Sequence, residues 1–344
     1  MDKEMRQKFW DTLCSFEGKE PASDMKKLSE TIKYPKFLYR YRAVSNNTIV
    51  ALQENKVYFS SADSYDDPFD TYLRIDWNKI KSMIASLNIK SEDAYERFIL
   101  PLKNHNILTG LDDQELKKKF EKLSEEDLLC YIVDVLSKYI RPMMQKNSHS
   151  ICFSQDYNNE NLWLKYANNH KGFCLVFDME DNDSWLCARE NKCKNCIITN
   201  STKTLYPIYY SDEKYDATNY AIKQLIFSGI INIFKDKELA QKFVDENPEI
   251  WEREKVSLIK HKCHEYDKEW RMILGNTPNE RALLKWRPYG VVLGLRISVI
   301  DEKLVIAAAQ RAGIKHFFRS CINLLDNLDV REMTEMEINK ILED

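Results

Sequence analysis

The chain has 344 residues, of which 44% are hydrophobic and 12% aromatic, a composition typical of a packed protein rather than a disordered one. Its 51 lysines and arginines against 54 aspartates and glutamates give a net charge of -3, so a contact with nucleic acid would need a local basic patch. The eight glycines form neither GxGxxG nor GxxxxGK[ST], and no serine lies in a GxSxG turn. These absences argue against standard Rossmann dehydrogenases, P-loop NTPases, kinases and α/β-hydrolases.

The sequence favours a cytoplasmic protein without a membrane contact. Residues 1–20 are charged and lack the apolar centre of a signal peptide. The longest strongly apolar stretch, residues 225–234, has about half the length that a membrane-spanning helix needs. Nine cysteines are scattered along the chain, and we expect them to be reduced thiols rather than a disulfide framework.

Helical segments alternate with short strands along the whole chain. Apolar periodicity and turn residues predict, in order, an N-terminal helical segment at 1–33, a strand at 36–42, a helix at 45–55, a strand at 56–61, a helical insertion at 79–146, a strand at 150–154, a helix at 161–168, strands at 172–177 and 206–210, a helical region at 216–263, a strand at 265–274 and a C-terminal βαβ element at 285–325. We therefore expect one α+β domain over residues 1–344, with a central mixed or antiparallel sheet as its core.

The densest group of carboxylates lies at residues 63–70, D-S-Y-D-D-P-F-D, directly after a predicted strand. Asp66 and Asp67 before a proline are typical of a turn, because aspartate bonds its own backbone there and the residue before proline avoids the helical region. The same carboxylates have the chemistry to bind a divalent cation or to orient a sugar hydroxyl. Both interpretations stay open at this point.

A second group of candidate residues lies between two predicted strands. Trp163 and Tyr166 share one face of a short helix, and His170 lies in the loop that follows. Such an aromatic pair beside a histidine can enclose a planar ring. A tryptophan and a tyrosine at this spacing are also common core residues, which is the plainer interpretation of Trp163.

The third group is the predicted strand at 265–274. Alternation places Asp267, Glu269 and Arg271 on one face and Trp270 with Met272 on the other. A carboxylate with an arginine two residues away is an ion pair in most proteins. It is also what a glycosyl-transfer site needs, because a carboxylate binds ribose hydroxyls and stabilises a cationic sugar. Local spacing does not decide between these interpretations.

One CxxC motif, Cys193 and Cys196, supplies two of the four ligands that a zinc site needs. The remaining candidates are Cys187, upstream, and His261, Cys263 and His264, far downstream. The downstream group lacks the spacing of a ligand pair, and there is no HExxH. We expect no metal here.

These groups, in this order, resemble the bacterial domain-of-unknown-function family 2971 (DUF2971). The motifs that carry the resemblance are the aromatic strand at 38–42, the D-D-P-F-D turn at 66–70, the C-F-S strand at 152–154 with the W..YA..H.G segment at 163–172, and the lysine-led helix running into an E.R strand at 260–271. The sequence departs from the family in two places. Asp66 stands where asparagine is usual, and the helical insertion at 79–146 is long.

The family's layout is in turn similar to a distant ADP-ribosyltransferase arrangement, in which an early strand grips NAD and a late strand offers a glutamate. That resemblance implies Tyr41 or Arg42 for the first role, with Tyr39 nearby, and Ser60 or Tyr166 beside the nicotinamide. It implies Glu269 as the catalytic group, with Asp267 two residues before it. The remaining candidate substrate contacts are Asp66, Asp67, Trp163, His170 and Arg271.

The resemblance implies an NAD-dependent ADP-ribosyltransferase-like enzyme, a bacterial toxin or anti-phage effector that takes NAD or another nucleotide and a protein or nucleic-acid acceptor. One alternative is a metal-dependent nuclease or phosphodiesterase that uses Asp66, Asp67, Asp70 and Glu269. The other is a non-catalytic module that binds a macromolecule. The enzyme interpretations predict that Tyr41 or Arg42, Asp67, Tyr166 and Glu269 line one concave pocket.

Overall fold

A computed structural model describes residues 2–86, 95–96, 100, 112–189, 205–229, 237–247, 251–274 and 282–343. Its helices span Asp2–Cys14, Pro21–Thr31, Asn46–Gln53, Trp77–Ala85, Asp113–Lys122, Glu125–Asn147, Glu160–Tyr166, Thr218–Gly229, Lys237–Glu246, Glu252–Ser257, Val299–Arg311 and Glu335–Glu343. Of these helices, none is long and apolar enough to cross a membrane.

The strands are β1 (Phe37–Arg42), β2 (Lys56–Tyr58), β3 (Ser60–Ser61), β4 (His149–Ser154), β5 (Phe173–Asp178), β6 (Leu205–Pro207), β7 (Tyr209–Ser211), β8 (Ile259–His261), β9 (Glu269–Ile273), β10 (Leu283–Lys285), β11 (Gly290–Leu293), β12 (His316–Ile322) and β13 (Leu328–Glu332). The main sheet has the order β13-β12-β11-β5-β1-β4-β9-β6, and β3 pairs with β4 beside this path. The pairs β10-β2 and β7-β8 form two small sheets.

The main sheet is mixed, with one parallel pair at its C-terminal side. β11 and β12 pair with each other in parallel, and the helix Val299–Arg311 connects them along the chain. This confirms the predicted βαβ element. The neighbouring pairs β11-β5, β5-β1, β1-β4 and β4-β9 are antiparallel. Helices accompany a sheet whose pairs are mainly antiparallel, so the predicted α+β class is confirmed.

The middle of this sheet contains a split. β9 pairs with one edge of β4 along all five positions from Ser150 to Ser154. On the other edge, β1 pairs with β4 at a single position, Tyr39↔Ser154, and β3 pairs with the opposite end at Ser60↔Ser150. Residues 151–153 therefore have a strand partner on one edge only, within the part of the chain described here. An opening lies between β1 and β4 where two strands would otherwise be joined.

The main hydrophobic core packs against the sheet on one face. It includes Leu38, Phe153, Trp270 and Met272 from the central strands and Val305 from the helix after β11. A second cluster covers the other face around Tyr41 and Trp163. The helical insertion has its own cluster, in which Leu128, Ile132 and Leu136 recur at helix spacing. Its residues 87–94, 97–99 and 101–111 lie outside the described residues.

Four predicted boundaries are wrong. The strand predicted at 206–210 is two short strands, β6 in the main sheet and β7 paired with β8. Residues 56–61 form two short strands in different sheets, β2 with β10 and β3 with β4. The predicted helical region 216–263 ends earlier, because residues 259–261 pair as β8 with β7. Strand β9 begins at Glu269, since a 3₁₀ helix over Lys262–Asp267 and a left-handed Lys268 (φ 42°) precede it. Local alternation alone does not reveal such a tight turn before a strand.

Candidate functional site

A pocket of about 420 Å³ lies at the split in the sheet. Ten of the predicted site residues line it: Tyr39, Tyr41, Arg42, Ser60, Asp66, Asp67, Tyr166, Asp267, Glu269 and Arg271. The prediction that these distant segments converge on one concave pocket is therefore confirmed. Their roles there stay predictions.

Trp163 and His170, also predicted to bind substrate, are not among the residues that line this pocket. Trp163 is fully buried, its Nε1 donates a hydrogen bond to the Tyr157 carbonyl oxygen (2.8 Å), and its ring meets the Tyr41 ring edge-on. His170 stacks on Trp163 with ring centroids 5.7 Å apart. Burial of its large apolar ring favours a core position for Trp163. The ring therefore packs behind Tyr41, which lines the pocket.

Arg271 joins the strand β9 to the carboxylate loop. The side chain is 1% exposed, and its guanidinium forms a two-pronged ion pair with Asp70, with 2.7 Å from Nη1 to Oδ1. Its Nε donates to Glu269 Oε1 (2.6 Å), and Nη1 also donates to the Ser257 carbonyl oxygen (2.8 Å). The planar guanidinium suits this geometry, because two parallel bonds fix both partners at once. Asp70, from a distant loop, is thereby fixed beside Glu269.

Lys260 completes this ion cluster from strand β8. Its Nζ lies 2.9 Å from Glu269 Oε2, 3.5 Å from Asp70 Oδ2 and 4.0 Å from Asp267 Oδ2. Burial alone would raise the pKa of Glu269, but the charges of Arg271 and Lys260 outweigh it and hold that pKa well below its ordinary value. Glu269 is therefore ionised at neutral pH, with both oxygens already partnered.

Asp267 is a different kind of carboxylate. It lines the pocket from the end of the 3₁₀ helix, and its side chain is 20% exposed. Burial raises the pKa of Asp267 above its ordinary value, in spite of the opposing charge of Lys260. Ser154 on β4 donates a hydrogen bond to the backbone carbonyl oxygen of Asp267 (2.8 Å). This bond uses the backbone of Asp267 and not its carboxylate. Asp267 thus has more freedom to meet a ligand than Glu269 has.

Arg40 and Arg42 lie on the other side of the split, on β1, and they lack such partners. Arg40 Nη2 donates to the Tyr58 carbonyl oxygen (3.2 Å), and Arg42 Nη1 donates to the Tyr41 carbonyl oxygen (3.2 Å). No carboxylate of the described ranges forms an ion pair with either side chain, and the buried Arg40 Nε has no hydrogen-bond partner there. Burial lowers the pKa of both, and for Arg40 the charge of Arg42 lowers it further. The two guanidiniums form an uncompensated cationic wall.

The loop at 63–70 is both a turn and a wall of the pocket. Asp67 Oδ1 accepts a hydrogen bond from the Phe69 backbone N–H (2.8 Å), as its turn interpretation predicts. Gln145, on the long helix of the insertion, donates to the Asp70 carbonyl oxygen (3.0 Å). Asp66 and Asp67 line the pocket from this fixed loop. The two interpretations of the motif are compatible.

Sequence reasoning missed several groups of this site. Arg40 repeats the side-chain type of Arg42 two positions earlier on the same strand, and this spacing was the available signal. Lys260 opens the lysine-led motif at 260–271, but nothing local predicts its contact with Glu269, since it reaches Glu269 from another sheet. Asp70 belongs to the carboxylates for which the sequence suggests a turn, a divalent cation or a sugar hydroxyl, whereas its partner in the structure is Arg271.

Some of the candidate zinc ligands lie outside the residues that the structure describes. Cys193 and Cys196 lie outside the described residues. Cys187 is buried and its sulfur accepts a hydrogen bond from the Lys285 backbone N–H (2.6 Å), whereas Cys263 is exposed. Over the ranges that the structure describes, no group of three or more His, Cys, Asp or Glu side chains is arranged to hold a metal ion.

Comparison with known proteins gives one match. Residues 162–272 match the model of the family DUF2971, which is described as a protein of unknown function. The predicted resemblance to this family is thus confirmed over a range that includes Tyr166, Lys260, Asp267, Glu269 and Arg271. No curated protein and no solved structure matches the chain. The further resemblance to ADP-ribosyltransferases stays a prediction.

Proposed function

We propose that the pocket binds NAD and catalyses an ADP-ribosyltransferase-like glycosyl transfer. The observation that carries the proposal is the arrangement of charge: two uncompensated arginines face a group of carboxylates across one pocket of nucleotide-compatible size. A dinucleotide has matching chemistry, with an anionic pyrophosphate at one place and a ribose that becomes cationic at another.

Each part of NAD has a partner in this arrangement. The pyrophosphate would lie against Arg40 and Arg42, because a guanidinium binds phosphate oxygens through two parallel hydrogen bonds. The nicotinamide ring would pack on Tyr166, which is 40% exposed at the pocket. Asp267 would face the ribose as its bond to nicotinamide loosens, with the ionised Glu269 adding negative potential behind it.

A metal-dependent nuclease has less support. That hypothesis needs Asp70 and Glu269 as ligands of a cation, but their oxygens already bind Arg271 and Lys260. Replacing those cations by a metal would leave a buried guanidinium without a partner, which is costly. A non-catalytic module is favoured less for another reason, since it predicts that the carboxylates and aromatic residues lie apart.

The biological setting forms part of the proposal. We propose a cytoplasmic bacterial toxin or anti-phage effector that transfers ADP-ribose to a protein or nucleic-acid acceptor. What supports a transfer reaction is the pocket, where arginines, carboxylates and an exposed tyrosine lie together. No membrane partner is part of the proposal.

Ligand binding and nicotinamide release test the proposed function together. The purified protein would be mixed with NAD, ADP-ribose, pyrophosphate or nicotinamide, and its melting temperature and nicotinamide release would be measured. We expect NAD and ADP-ribose to raise the melting temperature, because a ligand that binds the folded state at about 100 times its Kd adds about 2.7 kcal/mol. We also expect nicotinamide to appear in the NAD sample.

Two variants make this experiment specific. Arg42→Gln removes one charge of the cationic wall and should clearly reduce the NAD-induced shift. Arg311→Gln, an exposed arginine at the end of a helix, should keep it. A wild-type protein that shows neither a shift nor nicotinamide release at millimolar NAD would contradict the proposal.

A further inference from the structure

His264 lies between two pocket carboxylates that belong to different segments. Its Nε2 is 3.3 Å from Asp67 Oδ2, and its Nδ1 is 3.7 Å from Asp267 Oδ2. The imidazole side chain is 27% exposed, and the side chains of Asp67 and Asp267 are 19% and 20% exposed. The two carboxylates line the pocket, so Asp67, His264 and Asp267 form a row of three titratable side chains that begins at the pocket.

Local structure orients both ends of this row of side chains. The Asp67 carboxylate is oriented by the Phe69 backbone N–H, which leaves its second oxygen directed at His264. Asp267 and His264 are three residues apart on one 3₁₀ helix, where side chains at this spacing lie one above the other. An aspartate that orients an imidazole beside a third group is a recurrent arrangement for moving protons.

We propose that Asp267 is the general base of the transfer and that His264, oriented by Asp67, is its positioning and proton-relay partner. The inference rests on the proposed glycosyl transfer and assigns to it a base and a proton path. In this reaction a lone pair of the acceptor O–H or N–H attacks the ribose C1′ of NAD. The bond from C1′ to the nicotinamide nitrogen breaks, and its electron pair stays on the departing neutral nicotinamide. The acceptor's proton goes to Asp267 and from there to His264.

The surrounding charges suit this role for Asp267 rather than for Glu269. Lys260 and Lys165 favour the carboxylate form of Asp267, whereas Glu269 and burial disfavour it, with a raised pKa as the result. A base with a raised pKa accepts a proton more readily than Glu269, whose pKa is depressed by two cations. Glu269 therefore supplies charge, while Asp267 takes up the proton.

Kinetics against pH test the relay. Asp267→Asn should lower the rate of nicotinamide release about a hundredfold or more, and His264→Gln about tenfold or more, with KM for NAD nearly unchanged in both. The rate should rise with pH as Asp267 loses its proton, and in His264→Gln this rise should move to higher pH. The reason is that a protonated His264 favours the Asp267 carboxylate through its charge, and the variant lacks this charge. His316→Gln, a partly exposed histidine on β12, should retain the wild-type profile.

A second measurement separates failure of the relay from failure of the proposed function. Carboxyl ¹³C NMR with labelled aspartate, assigned through Asp267→Asn, reports the pKa of Asp267 without any turnover. We expect His264→Gln to raise this pKa and His316→Gln to leave it unchanged. An Asp267 pKa that His264→Gln does not move overturns the relay, whether or not NAD reacts. A moved pKa in a protein that releases no nicotinamide supports the relay and refutes NAD as the donor.

Discussion

The charged side chains on the two sides of the pocket differ in whether they have partners of opposite charge. On the β9 side, Arg271, Asp70, Glu269 and Lys260 form a closed cluster in which every charge has an opposite partner within 3.5 Å. On the β1 side, Arg40 and Arg42 donate only to backbone carbonyl oxygens. Since a buried charge is stable only with a partner, the first cluster is explained by the fold itself. Arg40 and Arg42 are partly exposed and have no carboxylate partner among the described residues.

Breaking the closed cluster should have the largest effect. Asp70→Asn keeps the side-chain volume but leaves Arg271 with excess buried charge, and we expect a loss of about 3–5 kcal/mol in the free energy of unfolding. Urea denaturation measures this loss. Asp63→Asn, an exposed aspartate of the same loop, is the matched control and should change stability by less than about 0.5 kcal/mol. A small effect of Asp70→Asn would contradict the structural role of the cluster.

The same cluster predicts the direction of a pH effect. The charges of Arg271 and Lys260 hold the pKa of Asp70 below the ordinary value of 3.8, although burial opposes them. A carboxylate with a depressed folded-state pKa contributes stability that is present above its unfolded pKa and lost as pH falls through the folded pKa. The stability advantage of wild type over Asp70→Asn should therefore shrink below pH 3.8.

Removing the uncompensated arginines should affect ligand binding instead of stability. Arg40→Gln or Arg42→Gln removes the repulsion between two neighbouring arginines, so we expect the free energy of unfolding to change by less than about 1 kcal/mol or to rise. Each should weaken ADP-ribose binding about 10- to 100-fold, because a hydrogen bond between charged groups is worth about 1.5–3 kcal/mol. Calorimetric titration measures both affinities beside Arg311→Gln. Unchanged affinity, or a large loss of stability, would show that the two sides of the pocket do not differ as described.

Glu254 extends the comparison to a carboxyl group that does not line the pocket. Its Oε2 has no hydrogen-bond partner among the residues described, and burial raises the pKa of Glu254 to about 7. A group with a raised folded-state pKa stabilises the fold below its unfolded pKa, and this contribution is lost as pH rises through 7. Glu254→Gln should therefore stabilise the protein by about 1–3 kcal/mol at pH 8 and have little effect at pH 4. Thermal unfolding at both pH values, with exposed Glu335→Gln as control, measures the difference.

The smallest effect should come from the pocket's exposed ring. Tyr166→Ala removes a half-exposed side chain, so stability should change by less than about 1 kcal/mol. NAD binding should weaken about 2- to 10-fold, the amount expected for a lost ring–ring contact, while pyrophosphate binding should stay unchanged. Equal losses for both ligands would place the nicotinamide elsewhere.

The sequence predicted what local pattern determines. Alternation along β9 correctly separated Glu269 and Arg271 from Trp270 and Met272, since the side-chain period of a strand is fixed. The helix predicted from residue 45 begins there, with Ser45 as its N-cap, whose side chain accepts a hydrogen bond from the Thr48 backbone N–H.

The partners across the pocket were beyond local pattern. Arg271 and Asp70 are 201 residues apart, and no spacing within either segment names the other. For the same reason, the sequence could not tell whether Arg40 and Arg42 find a carboxylate or lack one. The sequence favoured a core position for Trp163, which packs behind the pocket, but left the role of Tyr166, which lines it, open.

A crystal structure grown with ADP-ribose tests the central claim most directly, because it shows what completes the charge of Arg40 and Arg42. We predict phosphate oxygens within hydrogen-bond distance of both guanidiniums and the ribose on the side of Asp267, with the ion pair between Arg271 and Asp70 unchanged. A ligand bound outside the split, or phosphates held by Arg271 and Lys260 while Arg40 and Arg42 stay without an anion, would contradict the account.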